Sequence, residues 1–152
     1  MEVTTLARLI DEGCVSCAAD ALTITITPSF IVAGEDRLSY TSLIRLIEGC
    51  REYHWQADIA PLIKTTSLDT ICRSLTAQFV KVILVGTTVR IEWKITEVRN
   101  RAYTVRFDVR DARASYLCAQ CDLVSVFYDP QTHAAVTPPK NVLDFLVKLS
   151  QQ

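Results

Sequence analysis

Two acidic residues, Glu35 and Asp36, stand just ahead of a segment whose helical periodicity begins at Ser39. A carboxylate placed there can take a proton from water or attack a carbonyl carbon directly. The first turn of a helix supplies the other half of such chemistry. Backbone N–H groups around Tyr40, Thr41, Ser42 and Leu43 lack intrahelical acceptors and carry positive partial charge, so they can hold a developing oxyanion. Acyl transfer needs this combination, with Asp36 as base or nucleophile and Tyr40, Thr41 and Ser42 around the substrate. The competing explanation is that Glu35 and Asp36 simply favour a helix N-terminus.

Other reactive types have plainer readings beside their chemical ones. Ser74, Thr76 and Gln78 alternate on one face of an extended run, where they could line a pocket or face water. Arg99, Arg101 and Lys81 lie near hairpin ends and could bind phosphates, although solvated turn charges explain them equally well. Cys14 and Cys17, and Cys118 and Cys121, both have zinc-ligand spacing. The second pair sits inside a strand, where residues three apart point to opposite faces, so no metal and no cofactor is expected. Cys50 and Cys72 read as small core residues. His54 closes the helix, where a positive charge is favourable, and His133 is remote from it.

These residues depend on elements that the hydropathy pattern outlines. Leu22-Thr23-Ile24-Thr25-Ile26-Thr27 alternates as a half-buried strand, expected to continue past Pro28 to Phe30 and Val32. From Ser39 the period changes: Leu43, Ile44, Leu46, Ile47, Cys50 and Tyr53 make a wide apolar stripe opposite Thr41, Arg45, Glu48 and Glu52. Ser39 or Thr41 can cap this helix. Four strands follow, over residues 70–82, 89–99, 103–111 and 116–128, joined by short turns, and a last helix spans 141–149. Residues 1–20 read as an extension with helical spacing at Val3, Leu6, Leu9 and Ile10, and residues 21–152 as one domain.

Composition narrows the function classes. With 49% apolar residues, 22% charged residues and a formal net charge of −1, the chain has the balance of a globular protein and not of a nucleic-acid binder. No apolar run is long enough to span a bilayer, and the start of the chain does not read as a signal peptide. A cytoplasmic location with no membrane partner is expected, with the six cysteines reduced.

A strand, a long buried helix and four meandering strands resemble the hotdog superfamily, in particular thioesterases of the hydroxybenzoyl-CoA type. Leu43-Ile44-Arg45-Leu46-Ile47-Glu48-Gly49-Cys50-Arg51 is similar to that family's helix with its Glu-x-x-Arg pair. The run from Phe79 through Gly86 to Val89 is similar to its second strand and glycine turn, and Ile95 to Arg101 to the next hairpin. Ala33-Gly34-Glu35-Asp36-Arg37-Leu38-Ser39-Tyr40 departs from the hydroxybenzoyl-CoA signature. It looks more like the Asp-Arg segment entering the helix of the N-terminal hotdog in plant acyl-carrier-protein thioesterases, a half not thought to supply the main catalytic residues. The resemblance implies an α+β hotdog fold, a long central helix wrapped by an antiparallel sheet of about five strands. It also implies an acyl-CoA or acyl-carrier-protein substrate and a homodimer or homotetramer. Asp36 would be the catalytic carboxylate and Glu48 the second candidate, since some related thioesterases use an acid on the central helix. Ser74, Arg99 and Arg101 would join Tyr40, Thr41 and Ser42 in binding substrate. The alternative is a non-catalytic hotdog protein that binds acyl-CoA or serves in an assembly.

Overall fold

Leu43, Leu46, Ile47 and Cys50 recur along one side of helix α1 (Tyr40–His54), and all four are completely buried. The computed structural model, which describes residues 14–18, 20–63 and 66–152, wraps this stripe in a curled antiparallel sheet. The helical spacing at Val3–Ile10 lies outside the described residues. Ser39 caps α1: its backbone is extended and its Oγ accepts the Ser42 N–H at 3.2 Å. The chain does not stop at His54. It continues through one π-helical turn, Trp55–Ile59, into a short α2 (Ala60–Ile63).

The sheet contains β1 (Cys14–Ala18), β2 (Ala21–Thr25), β3 (Asp69–Phe79), β4 (Thr88–Val98), β5 (Ala102–Asp111), β6 (Leu117–Asp129) and the two-residue β7 (Ala134–Ala135). Its order is β1-β2-β4-β5-β6-β3, with β7 paired to β6. Every described pairing is antiparallel. Period-two sequence explains its two-faced character. On β5, Tyr103, Val105, Phe107 and Val109 are buried against the helix, while Thr104, Arg106, Asp108 and Arg110 lie on the outer face. Cross-strand polar pairs line up there: Arg106 donates to both Asp122 oxygens at 2.8 and 3.0 Å, and Gln120 donates to Asp108 at 2.8 Å. Helix α3 (Lys140–Ser150) packs beside β4 through Val142 and Leu146.

Three local expectations are corrected. The first strand stops at Thr25, and a 3₁₀ turn over Pro28–Phe30 replaces its continuation. Proline has no N–H to give a ladder and its φ is locked, so pairing ends before it. Phe30 is still buried, now from the turn. Cys72 is exposed instead of filling the core. It lies on β3, which among the described residues has a neighbouring strand on one side only, and a bulge between Cys72 and Ser74 breaks the alternation. Cys118 and Cys121 are both buried, because Val109 pairs with Ala119 and Arg110 with Leu117, leaving Cys118 as the extra residue of a bulge.

Because Leu46 sits fully enclosed between helix and sheet, Leu46→Ala removes apolar burial and leaves a cavity. The expected loss is about 2–5 kcal/mol, read as a lower urea midpoint with unchanged m-value.

Candidate active site

The segment that delivers the helix N-terminus is held by backbone pairing. Glu35 donates its N–H to Val32 O at 2.9 Å, closing a turn in which Gly34 has φ +86. That φ is left-handed and favours glycine, since a Cβ there strains the backbone. The chain then runs antiparallel to the β3–β4 connection: Val85 donates to Asp36 O at 2.9 Å and Leu38 to Ile83 O at 2.8 Å. Leu38 and Ile83 are buried beneath these bonds. The helix start is thus tied to residues 83–85.

An open groove of ≈ 560 Å³ lies at that junction. Leu38, Tyr40, Phe79, Val80 and Val82 form its apolar walls, with Glu35, Arg37, Ser39 and Lys81 supplying polar groups. Lys81 is held there at both ends. Its backbone N–H donates to Cys118 O at 3.0 Å, and its ammonium lies 3.9 Å from the centre of the Tyr116 ring.

Of the predicted substrate-contacting residues, Tyr40 lines this groove and is half exposed, and Thr41 is exposed on the same first turn. Ser42 turns inward: it is buried, its N–H goes to Ser39 Oγ, and its hydroxyl accepts from the Ser39 hydroxyl at 3.2 Å. The Leu43 N–H goes to Ser39 O at 3.0 Å. Two of the four N–H groups expected to face substrate are therefore spent on the cap, leaving Tyr40 and Thr41, which have no intrahelical acceptor. Asp36 is exposed beside the groove, while its neighbours Glu35 and Arg37 line it, 3.8 Å apart. Extended backbone sends successive side chains to opposite sides, a signal already legible in the short stretch after Gly34. Glu35, Arg37 and Phe79 also line the groove, although the sequence assigned none of them to the site.

Glu48 lies eight residues beyond Tyr40, about 12 Å along the helix axis. It is clamped by Arg51, whose Nη2 donates to Oε1 at 2.6 Å and whose Nε lies 3.1 Å from each carboxylate oxygen. Burial opposes the Arg51 charge, yet the Glu48 pair outweighs it and the guanidinium pKa is raised. Nearby, burial and then Glu48 raise the Cys72 thiol. Ser74 is exposed on the β3 edge and its carbonyl accepts from the Cys72 thiol at 3.5 Å. Arg99 and Arg101 are exposed at the β4–β5 hairpin, Arg99 paired with Glu97 at 2.9 Å. That hairpin adjoins Ala102, opposite Val126, whereas Phe79 of the groove pairs with Ala119. Seven positions of β6 separate the two places, about 23 Å at ~3.3 Å per residue. Within one chain the two arginines and Tyr40 do not share a site.

His54 is buried, not a charged helix end in solvent. Its Nδ1 lies 2.9 Å from Asp58 Oδ2 without hydrogen-bond alignment, and among the described residues its Nε2 has no hydrogen-bond partner. Trp93 and Tyr103 flank the ring, each with its ring centre 6.5 Å away. Among the described residues, no three His, Cys, Asp or Glu side chains group closely enough to share a metal ion.

No family profile matches the chain, and no curated protein is significantly similar to it in sequence. Solved structures are similar in fold. A 1,4-dihydroxy-2-naphthoyl-CoA thioesterase from Synechocystis superposes with a TM-score of 0.72 at 10% identity, covering 86% of this chain and 96% of that one. A Staphylococcus aureus protein determined in complex with CoA gives 0.74 at 8% identity, over 90% of this chain and 88% of the other. The 12:0-ACP thioesterase from Umbellularia californica gives 0.74 at 17% identity, over 88% of this chain and 55% of that one. The chain has the hotdog fold, and its structural neighbours include thioesterases.

Two measurements check the site's surroundings. Ser39→Ala removes the cap on which the first turn depends and should cost about 1 kcal/mol in urea unfolding. Burial pushes the Cys121 thiol and the Tyr103 phenol each up to about 12. The folded state thus retains protons that the unfolded chain loses, so stability should hold below about pH 9 and fall steadily as pH rises toward about 12.

Proposed function

We propose that the chain is an acyl-thioester hydrolase acting on acyl-CoA or acyl-carrier-protein. The carrying observation is that the first turn of α1, with the Tyr40 and Thr41 N–H groups not used by the cap, opens on an apolar groove edged by acidic residues. A thioester carbonyl placed against that turn would have its developing charge met by two amides and the helix dipole. The acyl chain would run along Phe79, Val80 and Val82, and the carrier's phosphates would meet Arg37 and Lys81. The names of the structural neighbours support this reaction class.

Asp36 is the proposed base or nucleophile, on the segment that enters the helix. Glu35 is the second reading, favoured by its place in the groove wall. Glu48 suits a structural role because its carboxylate is already engaged by Arg51. We further propose a homodimer or homotetramer. β3 offers its unpaired edge, with Ile71 46% exposed, and Tyr40, Val80, Val82 and Leu84 leave apolar surface beside it. An oligomer could also bring Ser74, Arg99 or Arg101 of one chain toward the groove of another.

An acyl-CoA panel read by thiol release tests the activity. Asp36→Asn should lower turnover roughly 10²–10⁴-fold with little change in substrate affinity, since an amide keeps the shape but cannot take a proton or attack. Glu48→Gln should leave turnover within a few fold. If Glu35→Gln carries the loss instead, the groove-lining carboxylate is the base. Saturable CoA binding with no hydrolysis of any acyl-CoA or acyl-carrier-protein would favour the non-catalytic alternative. Light scattering that finds a stable 17.0 kDa species at micromolar concentration would refute the oligomer.

A further inference from the structure

Lys81 lines the groove beside Phe79, Val80 and Tyr40, and its ammonium rests 3.9 Å from the centre of the Tyr116 ring. Among the described residues no carboxylate pairs with that ammonium and no hydrogen bond engages it. Arg37, the other cation of the groove, already faces Glu35 at 3.8 Å. The same contact partly neutralises Glu35, the carboxylate in the groove wall. Lys81 is thus the groove cation with its charge still to be met.

An unpaired surface lysine ordinarily samples many rotamers, so its charge has no fixed place. Lys81 is held from two directions. Its backbone N–H and that of Val80 both donate to Cys118 O, at 3.0 and 2.7 Å, which ties the start of the β3–β4 connection to β6. The Tyr116 ring then attracts the ammonium, an effect worth about two- to fivefold in an equilibrium at exposed sites. Tyr116 is placed in turn by the β5–β6 connection. Its carbonyl accepts the Asp111 N–H at 3.1 Å, and the Asp111 carboxylate accepts from the Arg113 and Ala114 N–H groups at 2.8 Å each. A closed turn therefore sets a ring, and the ring sets a cation at the groove.

An aromatic face covers one side of an ammonium, and the donors on its other sides remain for a ligand. The head group selects the chemistry: a compact point charge with three rotatable donors suits the tetrahedral oxygens of a phosphate. We infer that Lys81 is the phosphate anchor of this groove and that Tyr116 is the positioning residue that presents it. The ligand is the phosphate of a pantetheine arm, which coenzyme A and acyl-carrier-protein both carry. The identity of the ligand rests on the thioesterase reading, whereas the fixed, unpaired cation does not.

Equilibrium titration of the full chain with coenzyme A, against pantetheine as the phosphate-free comparison, is independent of hydrolysis. Lys81→Ala should weaken coenzyme A about tenfold, as loss of a charged hydrogen-bond partner implies, and leave pantetheine within about twofold. Tyr116→Leu should weaken coenzyme A about two- to fivefold by releasing the ammonium, while Tyr116→Phe, which keeps the ring, should match the wild type. Both losses should shrink as ionic strength rises. With acyl substrates they should appear in KM and not in kcat. Equal loss with a phosphopantetheine-bearing carrier protein supports the arm, and loss with coenzyme A alone would overturn that assignment in favour of the nucleotide phosphates. Unchanged coenzyme A affinity in a folded Lys81→Ala variant would overturn the proposal. So would a Tyr116→Phe variant as weak as Tyr116→Leu, or a wild type that saturates with neither carrier. Lys81-dependent coenzyme A binding in a chain that hydrolyses no thioester would uphold the anchor and refute the hydrolase. Hydrolysis indifferent to Lys81→Ala would do the reverse.

Discussion

One requirement organises this molecule: the apolar stripe of α1 has to be removed from water, and the sheet is what covers it. Leu43, Leu46, Ile47 and Cys50 are fully buried, and each large apolar side chain of this kind contributes roughly 1.5–3 kcal/mol on burial. A flat sheet would cover one side of a helix this broadly apolar. The strands instead curl, and residues from β2, β4, β5 and β6 join α1 in one continuous core. The inward alternation of Val89, Ile91, Trp93 and Ile95 on β4, and of Tyr103, Val105, Phe107 and Val109 on β5, follows from that demand.

Burying the body of a helix concentrates its chemistry at the ends, where backbone groups lack partners. At the N-terminus, Ser39 uses up part of this capacity and the rest opens toward the groove beside Phe79 and Lys81. Pairing of Asp36 and Leu38 with the β3–β4 connection keeps that end in place, so the groove is bounded on both sides by hydrogen-bonded backbone. At the C-terminal end the helix widens into a π turn instead of stopping. His54 is carried into a layer of aromatic rings, where Trp93, Tyr103 and Phe107 are in mutual contact or share neighbours. The two ends therefore differ in character. One offers free N–H groups with carboxylates and cations beside them, and the other encloses an imidazole among aromatic rings.

The sheet's order carries a further consequence. Because β3 pairs with β6 and not with β4, its sequence neighbour, it forms an edge with an irregular burial pattern. Its bulge after Cys72 turns polar and apolar side chains alike toward the open side, including Ile71, Cys72 and Ser74. Edges of this length are usually paired, covered or charged in stable proteins.

Much of this was legible in the residues. Period-two alternation identified β4 and β5, Asp129-Pro130 closed the strand that became β6, a change to helical spacing marked α1, and Ser39 stood where a cap belongs. These features are local: they depend on which side chains recur at which interval, and burial of one face then selects a single arrangement. What the sequence could not decide concerns partners far apart along the chain. That Glu35 lines the groove, that Ser42 serves the cap, and that Arg99 and Arg101 sit at the other end of the sheet depend on residues 36–38 meeting 83–85 and on β3 joining β6. The exposure of Cys72 has the same origin, since a bulge shifts register by one residue and reverses which face a side chain takes. His54 continues the stripe of Leu43, Ile47 and Cys50, and it is buried because the chain stays helical beyond it. Spacing marked the central helix and the main strands, while long-range register and helix continuation decided where elements end and which side chains meet.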